Sequence, residues 1–233
     1  MKYYIIKSDL NSKVVGSDYP QSWRFTKEYE KRKNNPNAVY SLLERVKNNF
    51  SIDFIPDLDG FILSGRAKLT NFVSTSVLDR LFLDEKAKNI LQTKCNLGVC
   101  KYFDATLYTK KETCKFYYVI NFYDIIPHIE FRNCEYYLDY IDETDKIPQE
   151  WINSGFKDCE TVLSIQKYFP KQLVGVRFKT LVLKRDFDKN IDWFVIKKFG
   201  IHNGICSERF KNAVEEAGLT GLVFKPIEVI IEE

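Results

Sequence analysis

Histidine is scarce in this 233-residue chain, which has two, His128 and His202. A cysteine–histidine or serine–histidine nucleophile would have to use one of them, and neither stands in a local signature such as Gly-x-Ser-x-Gly. Glycine is limited to ten residues. None builds Gly-x-x-x-x-Gly-Lys or Gly-x-Gly-x-x-Gly, so the phosphate-cradling loops of nucleotide enzymes are missing. The six cysteines, Cys95, Cys100, Cys114, Cys134, Cys159 and Cys206, include no Cys-x-x-Cys pair, and neither histidine lies near Cys95 and Cys100, the two closest together in sequence. They are read as small buried hydrophobes kept reduced, not as a zinc site or a disulfide framework. Long apolar runs are also missing. The N-terminus offers four apolar residues before charge returns, too few for a signal peptide or an anchor, and a cytoplasmic location is expected. An excess of one charge is absent as well: 35 Lys and Arg face 32 Asp and Glu, interspersed, which demands neither nucleic acid nor an anionic membrane. No metal, cofactor or catalytic group is therefore expected.

What the chain does hold is apolar bulk. Hydrophobic residues make up 45% and aromatics 15%, with 18 Phe and 14 Tyr, enough to exclude general disorder. Tyrosine suits the margin of a core and is also a frequent contact residue at protein interfaces. Strands are expected at Lys2–Lys7, Tyr102–Tyr108, Phe116–Tyr123, Glu135–Ile141, Leu173–Leu183 and Ile191–Phe199, the second to fourth forming an antiparallel meander. Val39, Leu42, Leu43 and Val46 repeat one helical stripe, capped by Asn35 or Asn37. Asp57-Leu58-Asp59-Gly60 reads as a turn between short strands, its acids bonding nearby backbone instead of calcium. The expected class is α+β with mixed or mostly antiparallel sheets and few helices. It is divided into an N-terminal lobe, 1–145, and a strand-rich C-terminal lobe, 146–233, or else the chain forms a single compact domain.

The last thirty residues carry the clearest local grammar. Ser207 is an N-cap and Glu208 suits the positive end of the helix dipole. Phe210, Ala213, Val214 and Ala217 form one buried stripe. Gly218 can take the positive φ of a helix ending, Leu219 can fold back on Val214, and Gly221 turns the chain into a β-branched run. The stretch Ser207-Glu208-Arg209-Phe210, a short amphipathic helix, then Gly218-Leu219-Thr220-Gly221-Leu222-Val223-Phe224-Lys225-Pro226 resembles the C-terminal signature of a family of bacterial immunity proteins that neutralise polymorphic toxins. Asp192-Trp193-Phe194 and the strand Tyr117-Tyr118-Val119-Ile120-Asn121 resemble that family's approach to it. The resemblance implies a protein without catalytic groups that binds a cognate toxin domain. Ser207, Phe210, Gly218, Gly221, Phe224 and Pro226 are assigned to folding.

A second stretch lies on this one without a gap. Asp84 takes the place of Ser207, Glu85 of Glu208, Lys88-Asn89 of Lys211-Asn212, and Gly98 of Gly221. Ala87, Ile90 and Leu91 fall on Phe210, Ala213 and Val214. The two are read as related helix–turn–strand units.

For partner contact the candidates are Tyr136, Tyr137 and Tyr140 with the acidic patch Asp139, Asp142, Glu143 and Asp145, which would suit a basic toxin. The alternative is a nucleic-acid-binding module using the basic stretch 27–47, where Lys27, Lys31, Arg32, Lys33, Arg45 and Lys47 are diluted by Glu28, Glu30 and Glu44. A hydrolase with a cryptic carboxylate or cysteine site is the third reading.

Overall fold

The computed structural model describes residues 1–32, 34–39, 54–75, 80–123, 125–140, 158, 173–196 and 201–233. In chain order the described elements are β1 (Tyr3–Ser8), α1 (Ser12–Val15), β2 (Ser22–Phe25), α2 (Lys27–Arg32), β3 (Asp59–Leu63), β4 (Leu81–Asp84), α3 (Glu85–Lys94), β5 (Cys100–Tyr108), β6 (Thr113–Asn121), β7 (Glu135–Tyr140), β8 (Leu173–Leu183), β9 (Trp193–Ile196), β10 (Ile201–Ser207), α4 (Glu208–Glu216) and β11 (Leu222–Ile231). The fold is α+β, as expected. The strands form a five-stranded sheet, β2-β3-β5-β6-β4, and a six-stranded sheet, β7-β8-β11-β1-β10-β9.

The two sheets repeat one topology. In the first, β2 and β3 are antiparallel, β3 and β5 parallel, and β6 is antiparallel to both β5 and β4. In the second, β7 and β8 are antiparallel, β8 and β11 parallel, and β1 is antiparallel to both β11 and β10. Each unit thus holds a strand–helix–strand crossover, β4-α3-β5 or β10-α4-β11, split by an inserted antiparallel strand. In the first unit the inserted strand is β6, reached by a hairpin. In the second it is β1, delivered from the other end of the chain. Strands on both sides of residue 145 therefore share the six-stranded sheet, and that residue itself lies outside the described part.

The local chemistry of the units matches as well. The Asp84 side chain accepts from the Ala87 N–H at 2.8 Å and the Ser207 hydroxyl from the Phe210 N–H at 3.3 Å, each closing the first turn of its helix. Tyr117 stands opposite Leu83, and Tyr4 opposite Cys206. Over these equivalent rings lie the ammonium groups of Lys88, at 3.8 Å, and Lys211, at 5.5 Å. Helix α4 ends as its sequence requires: the Leu219 N–H donates to Val214 O and the Gly218 N–H to Glu215 O, with Gly218 at φ 61°.

The helices meet across the seam, where Leu83, Ala87 and Leu91 from one unit share a core with Cys206, Phe210 and Val214 from the other, closed by Tyr117 and Trp193. A reciprocal clasp fixes them. Asn71 donates to the cap residue Asp84 and accepts from the Thr220 N–H, beyond α4, at 3.0 Å. Asp192 accepts from the cap hydroxyl of Ser207 and from the Asn96 N–H, beyond α3, at 2.7 Å. Each unit's cap partner thus holds the loop that follows the other unit's helix. Asn121 adds a bond of 2.6 Å to the Trp193 carbonyl. A carboxylate as buried as Asp192 needs such partners, and Arg209 Nε supplies another at 2.7 Å.

Three local expectations are corrected. The strand β7 does not continue the β5–β6 hairpin but crosses to the six-stranded sheet, because its apolar partner, Phe178, lies on β8. The stretch from residue 200 to 204, whose closely spaced Gly200 and Gly204 read as a loop around His202, instead begins β10 at Ile201, through a bulge at which Gly204 adopts φ 86°. Gly60 lies inside β3, where a Cβ would come within 2.7 Å of the Tyr29 Cβ and 2.9 Å of its ring, so close packing and not a turn requires it. The helix expected over 39–48 lies outside the described residues apart from buried Val39.

Candidate functional site

Cross-strand alternation decides where this scaffold opens. On β6 the face turned away from α3 carries Phe116, Tyr118 and Ile120, all buried beneath Phe25, Tyr29 and Phe61. The equivalent face of β1 carries Tyr3, Ile5 and Lys7, grading from buried through half-buried to exposed. Across the ladder Ile5 pairs with Lys225 and Lys7 with Val223, so Lys7 and Lys225 project from the same face of the β1–β11 pair.

They line a cleft of about 630 Å³, bounded by β1 and β11, by β7 and β8, and by residues 72–75 with the start of β4. Its charged lining is Lys7, Arg80, Arg177, Lys179, Lys225 and Glu228, five cations to one anion. Lys179 is paired with Glu135 at 2.7 Å; this contact raises the lysine's pKa and lowers that of the carboxyl, so both stay charged. Glu228 accepts from the Thr180 hydroxyl at 2.8 Å. The Arg177 guanidinium sits 5.8 Å from the Tyr137 ring centroid. Lys7 and Lys225 have no ion-pair partner among the described residues. The rim is apolar and aromatic, with Leu10, Tyr19 and Tyr137 exposed by 68%, 58% and 41%.

Of the partner-contact candidates, Tyr137 therefore lines the cleft. Tyr136 points inward, 1% exposed, its hydroxyl donating to Phe131 O at 3.2 Å, and serves the core because alternation along β7 sends neighbours to opposite faces. Asp139 and Tyr140 belong to β7. Asp142, Glu143 and Asp145 lie outside the described residues. Among the folding residues, Ser207 and Phe210 are fully buried, Phe224 meets Phe210 edge-on at 6.3 Å, and Pro226 stands opposite Tyr4 in β11. The cleft cations Lys7, Arg80, Arg177 and Lys225 escape sequence reasoning. Each is an ordinary exposed strand or loop position until β1 is known to lie beside β11.

The basic stretch 27–47 gives phosphate binding no support in its described part: Arg32 is paired with Asp57 at 3.1 Å and Asp59 at 3.6 Å, and Tyr29 is buried. Lys33, Arg45 and Lys47 lie outside the described residues. His128 Nδ1 is 3.0 Å from Asp186 Oδ1 and stacks against Tyr123, with no cysteine paired to it. Burial pushes the Cys95 thiol up to about 12 and that of Cys134 up to about 11, the opposite of an activated nucleophile. Among the described residues no group of three His, Cys, Asp or Glu side chains is placed to hold a metal, and no helix is long and apolar enough to cross a membrane.

The described residues make up a duplicated α+β scaffold with a cationic, tyrosine-rimmed cleft. A family model described as the immunity protein family Imm11 matches residues 84–229, from the cap of α3 into β11. The chain belongs to this family. A search of curated proteins gives no match.

Proposed function

We propose that this chain neutralises a cognate bacterial toxin domain by stoichiometric binding, acting in the cytoplasm as the antidote of a polymorphic toxin system. The observation that carries this reading is the family match over 84–229, which takes in the helix–strand units of both sheets. The scaffold supports it physically. Two sheets clasped through a shared core present a rigid face, and rigidity lowers the ordering cost of association. Binding of this kind needs no chemical step, only aromatic anchors and a charged rim complementary to the target. The segment 136–145 remains a proposed contact region, with Tyr137 as its exposed described anchor.

The test is co-expression with the toxin domain encoded beside this gene, followed by co-purification. Rescue of growth and a one-to-one complex are expected. A toxin that still kills, with no complex formed, refutes the reading.

A further inference from the structure

We infer that the cleft between β1–β11 and the β4 side is the docking surface, and that it receives an acidic, partly apolar segment of the neutralised toxin. This deepens the reading above and rests on it. Three features converge there. The lining carries five cations against one anion. Two of those cations, Lys7 and Lys225, stand on one sheet face, exposed and without an ion-pair partner among the described residues. Three of the ten exposed large hydrophobic side chains among the described residues, Leu10, Tyr19 and Tyr137, gather at the same cleft. This concentration of one charge sets the preferred sign of the partner.

A peptide fits this lining better than a nucleic acid. A phosphate backbone is a continuous polyanion, and here it would meet Glu228 and a Lys179 already neutralised by Glu135. Beside the cations the lining includes Ile5, Leu222, Pro226 and Ile227, which reward apolar side chains more than phosphates. Carboxylates spaced along an extended segment, with apolar residues between them, meet each feature in turn. The sign is opposite to that of the 139–145 patch, so the two surfaces would grip different parts of one partner.

The test measures binding of the neighbouring-gene toxin domain, made catalytically inert, to the full chain by titration calorimetry at low and physiological salt. The variants are Lys7→Glu with Lys225→Glu, Lys7→Gln with Lys225→Gln, and a control reversal outside the cleft, Lys111→Glu. Both cleft lysines are exposed, so the folds should survive, and circular dichroism with thermal melting verifies this. The double reversal should weaken binding roughly 10- to 100-fold, and the glutamine pair less, with a shallower salt dependence in both. The control should bind as the native chain does. If the native chain binds and the double reversal binds equally well, the cleft assignment is overturned while the antidote reading stands. If the native chain fails to bind or rescue, both fall. A single-stranded oligonucleotide that binds the native chain and is lost in the double reversal, with toxin binding unchanged, also overturns the assignment.

Discussion

Replacing Gly221 by alanine tests the seam between the units, with Gly218→Ala as its internal standard. Both glycines have positive φ, 104° and 61°, so either alanine incurs backbone strain of about 1–2 kcal/mol. They differ in what a Cβ would meet. At Gly218 there is nothing within 4 Å, whereas at Gly221 the Cβ would lie 2.0 Å from the Phe72 carbonyl oxygen and 2.9 Å from its carbon. Backbone cannot swing aside as a lysine tip can. The chain there is also fixed by hydrogen bonds from Asp9 N to Gly221 O and from Phe72 N to Thr220 O, both 3.0 Å. Relieving the overlap means parting β11 from the 70–73 segment, which places the loss for Gly221→Ala at about 4 kcal/mol or more. At about 2–4 °C per kcal/mol for a chain of this size, the melting temperature should fall by roughly 2–8 °C for Gly218→Ala and, at the same conversion, by about 8–16 °C or more for Gly221→Ala. Gly98→Ala should fall between, since its Cβ would meet side chains alone, the Ile191 Cδ1 tip most closely at 3.3 Å. Urea unfolding followed by circular dichroism and tryptophan fluorescence, with Trp193 buried on the same seam, reads the series. Equal losses at the three positions, or the largest at Gly218, would refute the reasoning.

Ser207→Ala should cost about 2–3 kcal/mol, against about 1 kcal/mol for Asp84→Ala, because beyond the cap that each removes it deprives the fully buried Asp192 carboxylate of a donor, whereas Asp84→Ala strands only the half-buried Asn71 amide; equal urea midpoints for the two would contradict this. Burial raises the thiols of Cys95, Cys100, Cys134 and Cys206. Since the folded pKa values lie above the unfolded one near 9, their contribution is intact below pH 9 and is lost as pH climbs toward 12. Stability measured by urea titration should therefore decline across that alkaline window, and a flat profile would count against it. Joining residue 233 to residue 1 by a short Gly/Ser linker and opening the chain between Leu10 and Asn11 should give a folded circular permutant. Tyr3 pairs with Ile227, so the two ends lie at one end of the same ladder; a permutant lacking native circular dichroism would argue against the topology.

The parts of the fold that are local were legible in the sequence. The caps Asp84 and Ser207, the Gly218 ending, and strands such as Leu173–Leu183 follow from short-range sterics and hydrogen bonding. Even the duplication was visible where helix chemistry is strict, as in the shared register of Lys88 and Lys211. What stayed hidden was pairing over long separations. No propensity announces that Tyr3–Ser8 will lie between Ile201–Ser207 and Leu222–Ile231, since any apolar strand satisfies that slot locally. The cleft was hidden for the same reason. Lys7 and Lys225 acquire their relation only through that ladder, and Tyr136 and Tyr137 look alike until alternation separates them.

The position of β1 also bears on how the protein is made. The five-stranded unit uses strands that emerge from the ribosome one after another, and it can assemble while synthesis continues. Its twin cannot. Strand β1 has no seat until β10 and β11, both C-terminal to residue 200, have been translated, so it must wait, unpaired, while the residues between are made. Closure of the second sheet, and with it the cleft that β1 floors, becomes a late event timed by translation itself.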